Sequence, residues 1–199
     1  MTDSKKAAGP RSARSGSGKR ERLVTAATEV FHRQGVERST LSDIARVADV
    51  PVGNVYYYFK TKEQLVAAVV AGHADRLREL TAVLDELATP AERLKALVGG
   101  WVGQRDLAAH YGCPFGTLAG ELDRRDDGHD RTAAPVMELL LDWVEEQFRA
   151  MGHRDEARDL AVSLVSAYQG MSLLTNTLHD PDLMSRQGRR LEQWIDSLA

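Results

Sequence analysis

One cysteine, Cys113, occurs in 199 residues. That excludes an intrachain disulfide, and one thiol cannot build a structural zinc site, which takes about four Cys or His ligands. Long apolar runs are missing too, none approaching the roughly 20 residues of a membrane-spanning helix. The N-terminal stretch lacks the apolar segment of a secretory signal. Together these absences predict a cytoplasmic protein with no membrane partner. Neither an internal repeat nor a convincing period-two alternation is found, so the expected fold class is all-α. No nucleophile, base and orienting acid lie together, and the His residues scatter, which disfavours an enzyme.

What is present is an ordinary globular composition, 43% apolar and 28% charged, in a chain long enough for one large or two small domains with real cores. The formal charge of −3 conceals a split. Residues 1–62 carry twelve Lys and Arg against six Asp and Glu, a balance of +6, and the remainder fourteen against twenty-three, a balance of −9. A basic head on an acidic body is the distribution expected of DNA binding by one domain, because phosphate neutralisation is local.

The head holds the segment from Thr40 to Lys62, TLSDIARVADVPVGNVYYYFKTK. Thr40 stands where a helix N-cap belongs, and Leu41, Ile44, Ala45 and Ala48 follow at the spacing of one buried helical face. Asp49, Val50 and Pro51 break that helix, since proline lacks the amide donor and disfavours helical geometry in the residue before it. A second helix runs from Val52 to Phe59, with Val55 and Phe59 inward and Gly53, Asn54, Tyr57 and Tyr58 outward. Tyr56 is open to either packing or exposure. Two short helices at a turn, the second with a polar outer face, form a helix-turn-helix, whose second helix enters the DNA major groove.

The run from Gly35 to Leu65, G-V-x-x-S-T-L-S-D-I-A followed by V-x-x-G-N-V-Y-Y-Y-F-K-T-K-E-x-L, resembles the DNA-binding domain of TetR-type transcriptional regulators. The resemblance implies an all-helical homodimer with an effector-binding C-terminal domain that varies between members. It also implies phosphate contacts by Lys62 and by Thr40, the latter through its hydroxyl and backbone amides. Val52 departs from the polar residue common at its place, which suggests an apolar contact with a thymine methyl. In the body, Gly112-Cys113-Pro114-Phe115-Gly116-Thr117-Leu118-Ala119 resembles a GCPxGxLA helix-opening motif of one branch of the family. The short helix there would lie beside the effector and against the connecting helix, so that moving it changes the spacing of two readers.

Along the chain, residues 1–18 read as a flexible basic arm, either a disordered terminus or a tail adding DNA contacts. Residues 19–65 read as a three-helix DNA-binding domain, its first helix spanning Gly18 to Gln34 and capped by Gly35. Residues 66–199 read as a helical effector-binding and dimerisation domain. A connecting helix is expected from Lys62 to Leu87. Thr89-Pro90-Ala91-Glu92 opens one ending near His110, and a short one follows Pro114. Asp123 to Arg131 reads as a solvated loop, followed by a helix with Pro135 in its first turn that Gly152 stops. Two terminal helices complete about nine, apolar on more than one side. That width suggests a second partner, and the family resemblance makes it the homodimer interface through the last two helices.

On the DNA-binding helix, Val52, Gly53 and Asn54 are candidates for base edges, while Tyr57 and Tyr58 can pack on the backbone and donate to phosphate. For the effector, the aromatic and soft side chains available are Trp101, Phe115, Leu118, Met137, Trp143, Tyr168 and Met171, each equally suited to plain core. Without a charge cluster, that lining favours an apolar or aromatic, weakly polar small molecule. His110 and Cys113 form an H-x-x-C pair that nothing nearby completes into a metal site, so no cofactor is expected. Cys113 reads as a small buried turn residue or, less favoured, a redox-sensing thiol. The function expected is a ligand-responsive regulator, a repressor binding a palindromic double-stranded DNA operator as a dimer. The alternative is a helical small-molecule-binding protein or enzyme in which the helix-turn-helix is not used for DNA.

Overall fold

A computed structural model describes residues 12–125 and 131–199, with side chains from residue 18 onward. Among the described residues there are ten helices and no strand. The first, α1 (Ser12–Gln34), begins before the expected Gly18, since its Ser- and Gly-rich start is helical without offering any apolar face to read. Residues 1–11 of the expected arm lie outside the described residues. Gly35, with φ 83°, closes α1 as its amide donates to Phe31 O at 2.9 Å. Then come α2 (Leu41–Val47), α3 (Val52–Tyr58) and α4 (Lys62–Leu84), which ends one turn short of the expected Leu87.

The chain divides into two compact units between Val69 and Val70. The first unit buries Leu23, Ala27, Phe31, Val36, Ile44, Val55, Phe59 and Leu65. Those residues are the inward stripes of α1, α2, α3 and the start of α4, with Val36 from the α1–α2 connection and Phe59 from the cap of α3, so the short α2 and α3 owe their stability to tertiary packing.

The second unit contains the rest of α4 and six more helices: α5 (Pro90–Val102), α6 (Arg105–Tyr111), α7 (Pro114–Leu122), α8 (Ala134–Ala150), α9 (Ala157–Leu178) and α10 (Pro181–Asp196). One helix was expected from Pro90 to His110, and two are found, which raises the total from nine to ten. The break falls at Gly103 and Gln104, just after Gly99 and Gly100. Glycine costs a helix about 1 kcal/mol relative to alanine, so this glycine-rich turn is the weakest place in the run. Residues 126–130 of the expected solvated loop lie outside the described residues.

One continuous apolar cluster holds this unit together, with Leu94, Leu97, Val144, Phe148, Leu164 and Ile195 fully buried in it. Polar ties frame the cluster. Arg158 of α9 bridges Glu138, Asp142 and Glu145 of α8. Lys95 of α5 meets Asp196 of α10 at 2.7 Å. The His153 ring donates from Nε2 to Leu198 O at 2.8 Å, holding the end of the chain against the α8–α9 turn.

Candidate nucleic-acid interface and sensor site

In the first unit, Thr40 caps α2 through a reciprocal box. Its Oγ1 accepts from the Asp43 amide at 3.1 Å, while its hydroxyl and amide donate to Asp43 Oδ2 at 2.7 and 3.1 Å. These bonds, with Arg46 alongside, hold the Asp43 carboxyl below the usual carboxylate range. Thr40 therefore spends on its own cap the hydroxyl proton and the amide that the family resemblance assigned to phosphate. Asp49 turns the chain at φ 52°, in the left-handed region that a short polar side chain tolerates. Pro51 then starts α3.

Two side chains hold α3 inward, Val55 and the capping Phe59, and Arg20 lies over the Phe59 ring at 5.2 Å. Away from that anchor the helix is open. Tyr57 is 74% exposed and Val52 40%. A side chain added at Gly53 would meet nothing, so a flat partner can approach the backbone there. Tyr58 is half-buried with its ring edge-on to Tyr57 at 5.0 Å, and Asn54 is also half-buried. Tyr56 takes the outward option, exposed rather than packed.

Lys62 has a structural share. Its Nζ donates to Glu37 O at 3.1 Å and Ser39 O at 2.9 Å, tying the start of α4 to the α1–α2 connection. An ammonium has three protons, so one remains for an external oxygen. Lys60, exposed and two residues earlier, adds a cation that the sequence reading passed over; it stands directly between Phe59 and Thr61.

In the second unit, the expected effector residues separate into two groups. Trp101, Met137, Trp143, Tyr168 and Met171 belong to the apolar cluster, with Trp101 and Tyr168 stacked at 4.1 Å and 14°. Trp143 also donates its indole N–H to Asp85 at 3.0 Å, which fixes it as a packing residue. Phe115 and Leu118 stand on α7, Leu118 buried and Phe115 against His73 of α4 at 5.3 Å.

Cys113 joins the groups. Gly112, at φ 75°, turns the chain so that the thiol becomes the N-cap of α7, with Sγ accepting from the Gly116 amide at 3.2 Å. From α9, Tyr168 donates its hydroxyl to the same sulfur at 3.3 Å, and Gln169 Nε2 lies at 3.9 Å. Burial, and then the neighbouring Cys113, push the Tyr168 hydroxyl well above its ordinary range, so it remains a donor. His110 turns the other way, its Nδ1 paired with Asp106 O at 2.8 Å and exposed. Among the described residues, no group of three His, Cys, Asp or Glu could hold a metal ion.

The sequence reading missed a polar strip on α9. Ser172 was assigned to an apolar face, yet its Oγ and Thr175 Oγ1 are buried with no hydrogen-bond partner. Asn176 Nδ2 donates to Ala109 O at 3.2 Å. The signal was available as Tyr168, Gln169, Ser172, Thr175 and Asn176, polar residues at helical spacing within an otherwise apolar stripe.

A surface helix pinned by two inward side chains, with a glycine and tyrosines left outward, belongs to a DNA-binding regulator of the helix-turn-helix class. Residues 23–69 match the model of bacterial regulatory proteins of the tetR family, and residues 90–190 that of the C-terminal domain of LmrA/YxaF-like transcriptional regulators. The chain belongs to the TetR family of helix-turn-helix transcriptional regulators, a family of regulators rather than enzymes.

It is 27% identical over 188 residues to the HTH-type transcriptional regulator LmrA of Bacillus subtilis, with 84% of this chain and 97% of that protein covered. To the HTH-type transcriptional repressor DhaR of a Mycobacterium strain it is 27% identical over 165 residues, covering 77% and 80%. Among solved structures, a TetR-family regulator of Agrobacterium tumefaciens superposes with a TM-score of 0.79 at 20% identity, covering 89% of this chain and 97% of that one. One from Chloroflexus aurantiacus gives 0.78 at 23%, covering 92% and 96%. At these identities the structures establish the shared fold. Among the described residues, no helix is long and apolar enough to cross a membrane.

Proposed function

We propose that this regulator is a ligand-responsive repressor that binds a palindromic operator as a homodimer in the cytoplasm. Residues 19–65 act as the reader and residues 66–199 as the sensor and dimerisation domain, with residues 1–18 as a basic arm. The observation that carries the reading is the exposure of Tyr57 on a helix whose opposite side is fully buried. In this reading Val52, Gly53 and Asn54 meet base edges. Tyr57 and Tyr58 lie along the sugar-phosphate backbone, and Lys62, with Lys60 beside it, holds phosphate. Thr40 serves chiefly by fixing α2, on which the angle of α3 depends.

The dimer is supported by α9, where Leu173, Leu174 and Leu178 are 65, 50 and 60% exposed on the side turned from the core. A second copy would cover that face, with α10 alongside completing a four-helix bundle. The effector is a small, mainly apolar or aromatic molecule held near Trp101, Tyr168, Phe115 and Leu118. It favours a state of the dimer whose readers no longer match successive major grooves, so release follows from its differential affinity for two states.

The test is selection of bound fragments from random DNA by the purified protein. The expected product is an inverted repeat with half-sites about one helical turn, roughly 10 base pairs, apart. Enrichment of no sequence, or of a single unpaired half-site, would overturn the reading.

A further inference from the structure

The N-cap of α7 poses a chemical puzzle. Serine, threonine or aspartate accepts a helix amide far better than a thiol, whose sulfur is a weak acceptor. Yet the only cysteine in the sequence occupies the position, and two side chains from α9 also direct donors at it. The sulfur thus accepts from three donors, the Gly116 amide, the Tyr168 hydroxyl and the Gln169 amide, at a point where α6, α7 and α9 meet.

A second observation points to a molecule at the same corner. Ser172 is 1% exposed and Thr175 fully buried, both with unpartnered hydroxyls. On α9, Tyr168 and Gln169 reach Cys113, and Asn176 reaches Ala109 of α6. Ser172 stands between them on the same face, one turn from each, so the residue lies on the side of α9 that meets the α6–α7 corner. Buried unpaired hydroxyls are costly unless an acceptor arrives to take them.

We propose that Cys113 is the attachment point of an electrophilic effector, an uncharged α,β-unsaturated carbonyl compound whose oxygen is taken by Ser172 and Thr175; this rests on the repressor reading. The sulfur bonds to the β-carbon, the carbon–carbon π pair shifts toward the carbonyl, and the proton lost from the thiol is matched by one gained at the α-carbon. The step adds S–H across a double bond and consumes neither oxidant nor reductant. Trp101, stacked on the Tyr168 that reaches the sulfur, and the buried Leu118 of α7 are apolar neighbours that suit a neutral carbon electrophile, and the chain has no second cysteine to trap an oxidised sulfur.

The corner leaves little room for the adduct. A carbon added at Gly116 would stand 2.5 Å from Gln169 Oε1 and 3.4 Å from the sulfur. A carbon bonded to the sulfur would compete with the Gly116 amide and Gln169 for it, and α7, which that amide opens, carries Phe115 against His73 of α4.

The experiment treats the full-length protein with methyl vinyl ketone and follows intact mass, the modified peptide and affinity for the selected DNA. The expected result is one adduct, on Cys113, with affinity lowered by at least about fivefold. Cys113→Ser supplies a better cap, so it should fold and bind DNA as the parent does while forming no adduct and keeping its affinity in the probe. Ser172→Ala should slow adduct formation without altering unliganded DNA binding. A folded protein that is not alkylated, although its unfolded chain is, would overturn the inference, as would an adduct that leaves affinity unchanged. Failure of the untreated protein to select any DNA would instead sink the repressor reading.

Discussion

Tyr56 and Tyr57 of the first unit stand open to solvent, whereas Trp101, Trp143 and Phe148 of the second are buried. The same class of side chain is thus used as a displayed contact in one unit and as packing in the other. In the first unit, folding and recognition fall on different residues: Val55 and Phe59 hold α3, and its outer positions are released for a partner. In the second they overlap, because Tyr168 stacks on Trp101, belongs to the border of the core and also donates to Cys113. Substitutions should therefore separate stability from binding in the reader and confound them in the sensor.

The largest expected effect tests the packed side of that contrast. Phe148 is fully buried and meets Trp194 of α10 at 5.7 Å between ring centroids. Phe148→Ala should cost about 3–5 kcal/mol, the range for deleting a buried aromatic ring, seen as a lower midpoint in denaturant unfolding. An unchanged midpoint would mean that this cluster does not carry the stability of the second unit.

A smaller effect compares the units directly, because each opens a helix with the same device. Thr40 and Asp43 box α2, and Thr89 and Glu92 box α5, where the Thr89 amide meets Glu92 Oε2 at 3.0 Å and the Glu92 amide meets Thr89 Oγ1 at 3.2 Å. Alanine at either threonine should cost about 1 kcal/mol. Only Thr40→Ala should also weaken DNA binding, since α2 sets the angle of α3. The cap on α2 has a pH signature as well. A carboxyl whose folded value is depressed stabilises fully above its unfolded value and loses that contribution as pH falls through the folded one. Acid titration should therefore show a limb below the ordinary carboxylate range that Asp43→Asn removes. Equal acid profiles for the two proteins would contradict the depressed Asp43.

Legibility in the sequence follows the same division. The starts at Thr40, Thr89 and Pro135 and the stops at Gly35 and Gly152 could be read because each depends on residues within one turn. The inward Val55 and Phe59 and the outward Gly53 and Tyr57 of α3 were legible for that reason too, whereas Asn54 and Tyr58, expected outward, are half-buried. What escaped was set by long-range contact: Tyr168 and Cys113 are 55 positions apart, and nothing in the local spacing of either announces the bond. Ser172 was misjudged because a small residue in an apolar stripe looks like filler until its hydroxyl is found without a partner. Lys62 was read through its charge, while its two carbonyl bonds depend on how the α1–α2 connection folds back. The divided helix at Gly103 was readable from Gly99, Gly100 and Gly103, had their combined cost been weighed against the apolar periodicity.

The smallest effect on stability gives the sharpest test of the contrast. Because Tyr57 is 74% exposed, Tyr57→Ala should leave stability within about 0.5 kcal/mol of the parent, as surface changes do. Its affinity for the selected operator should nevertheless fall by about tenfold or more, since a hydrogen bond to a charged phosphate is worth roughly 1.5–3 kcal/mol. Tyr57→Phe keeps the ring and loses only the hydroxyl, so it should fall between. Neither change alters charge, and the salt dependence of binding should keep its slope. Lys62→Ala makes the counterpart: it should lower the slope by about one phosphate's worth and cost stability together, because its ammonium also holds the Glu37 and Ser39 carbonyls. If Tyr57→Ala destabilised the fold as much as it weakened binding, the displayed ring would be packing after all, and the division of labour in the reader would not hold.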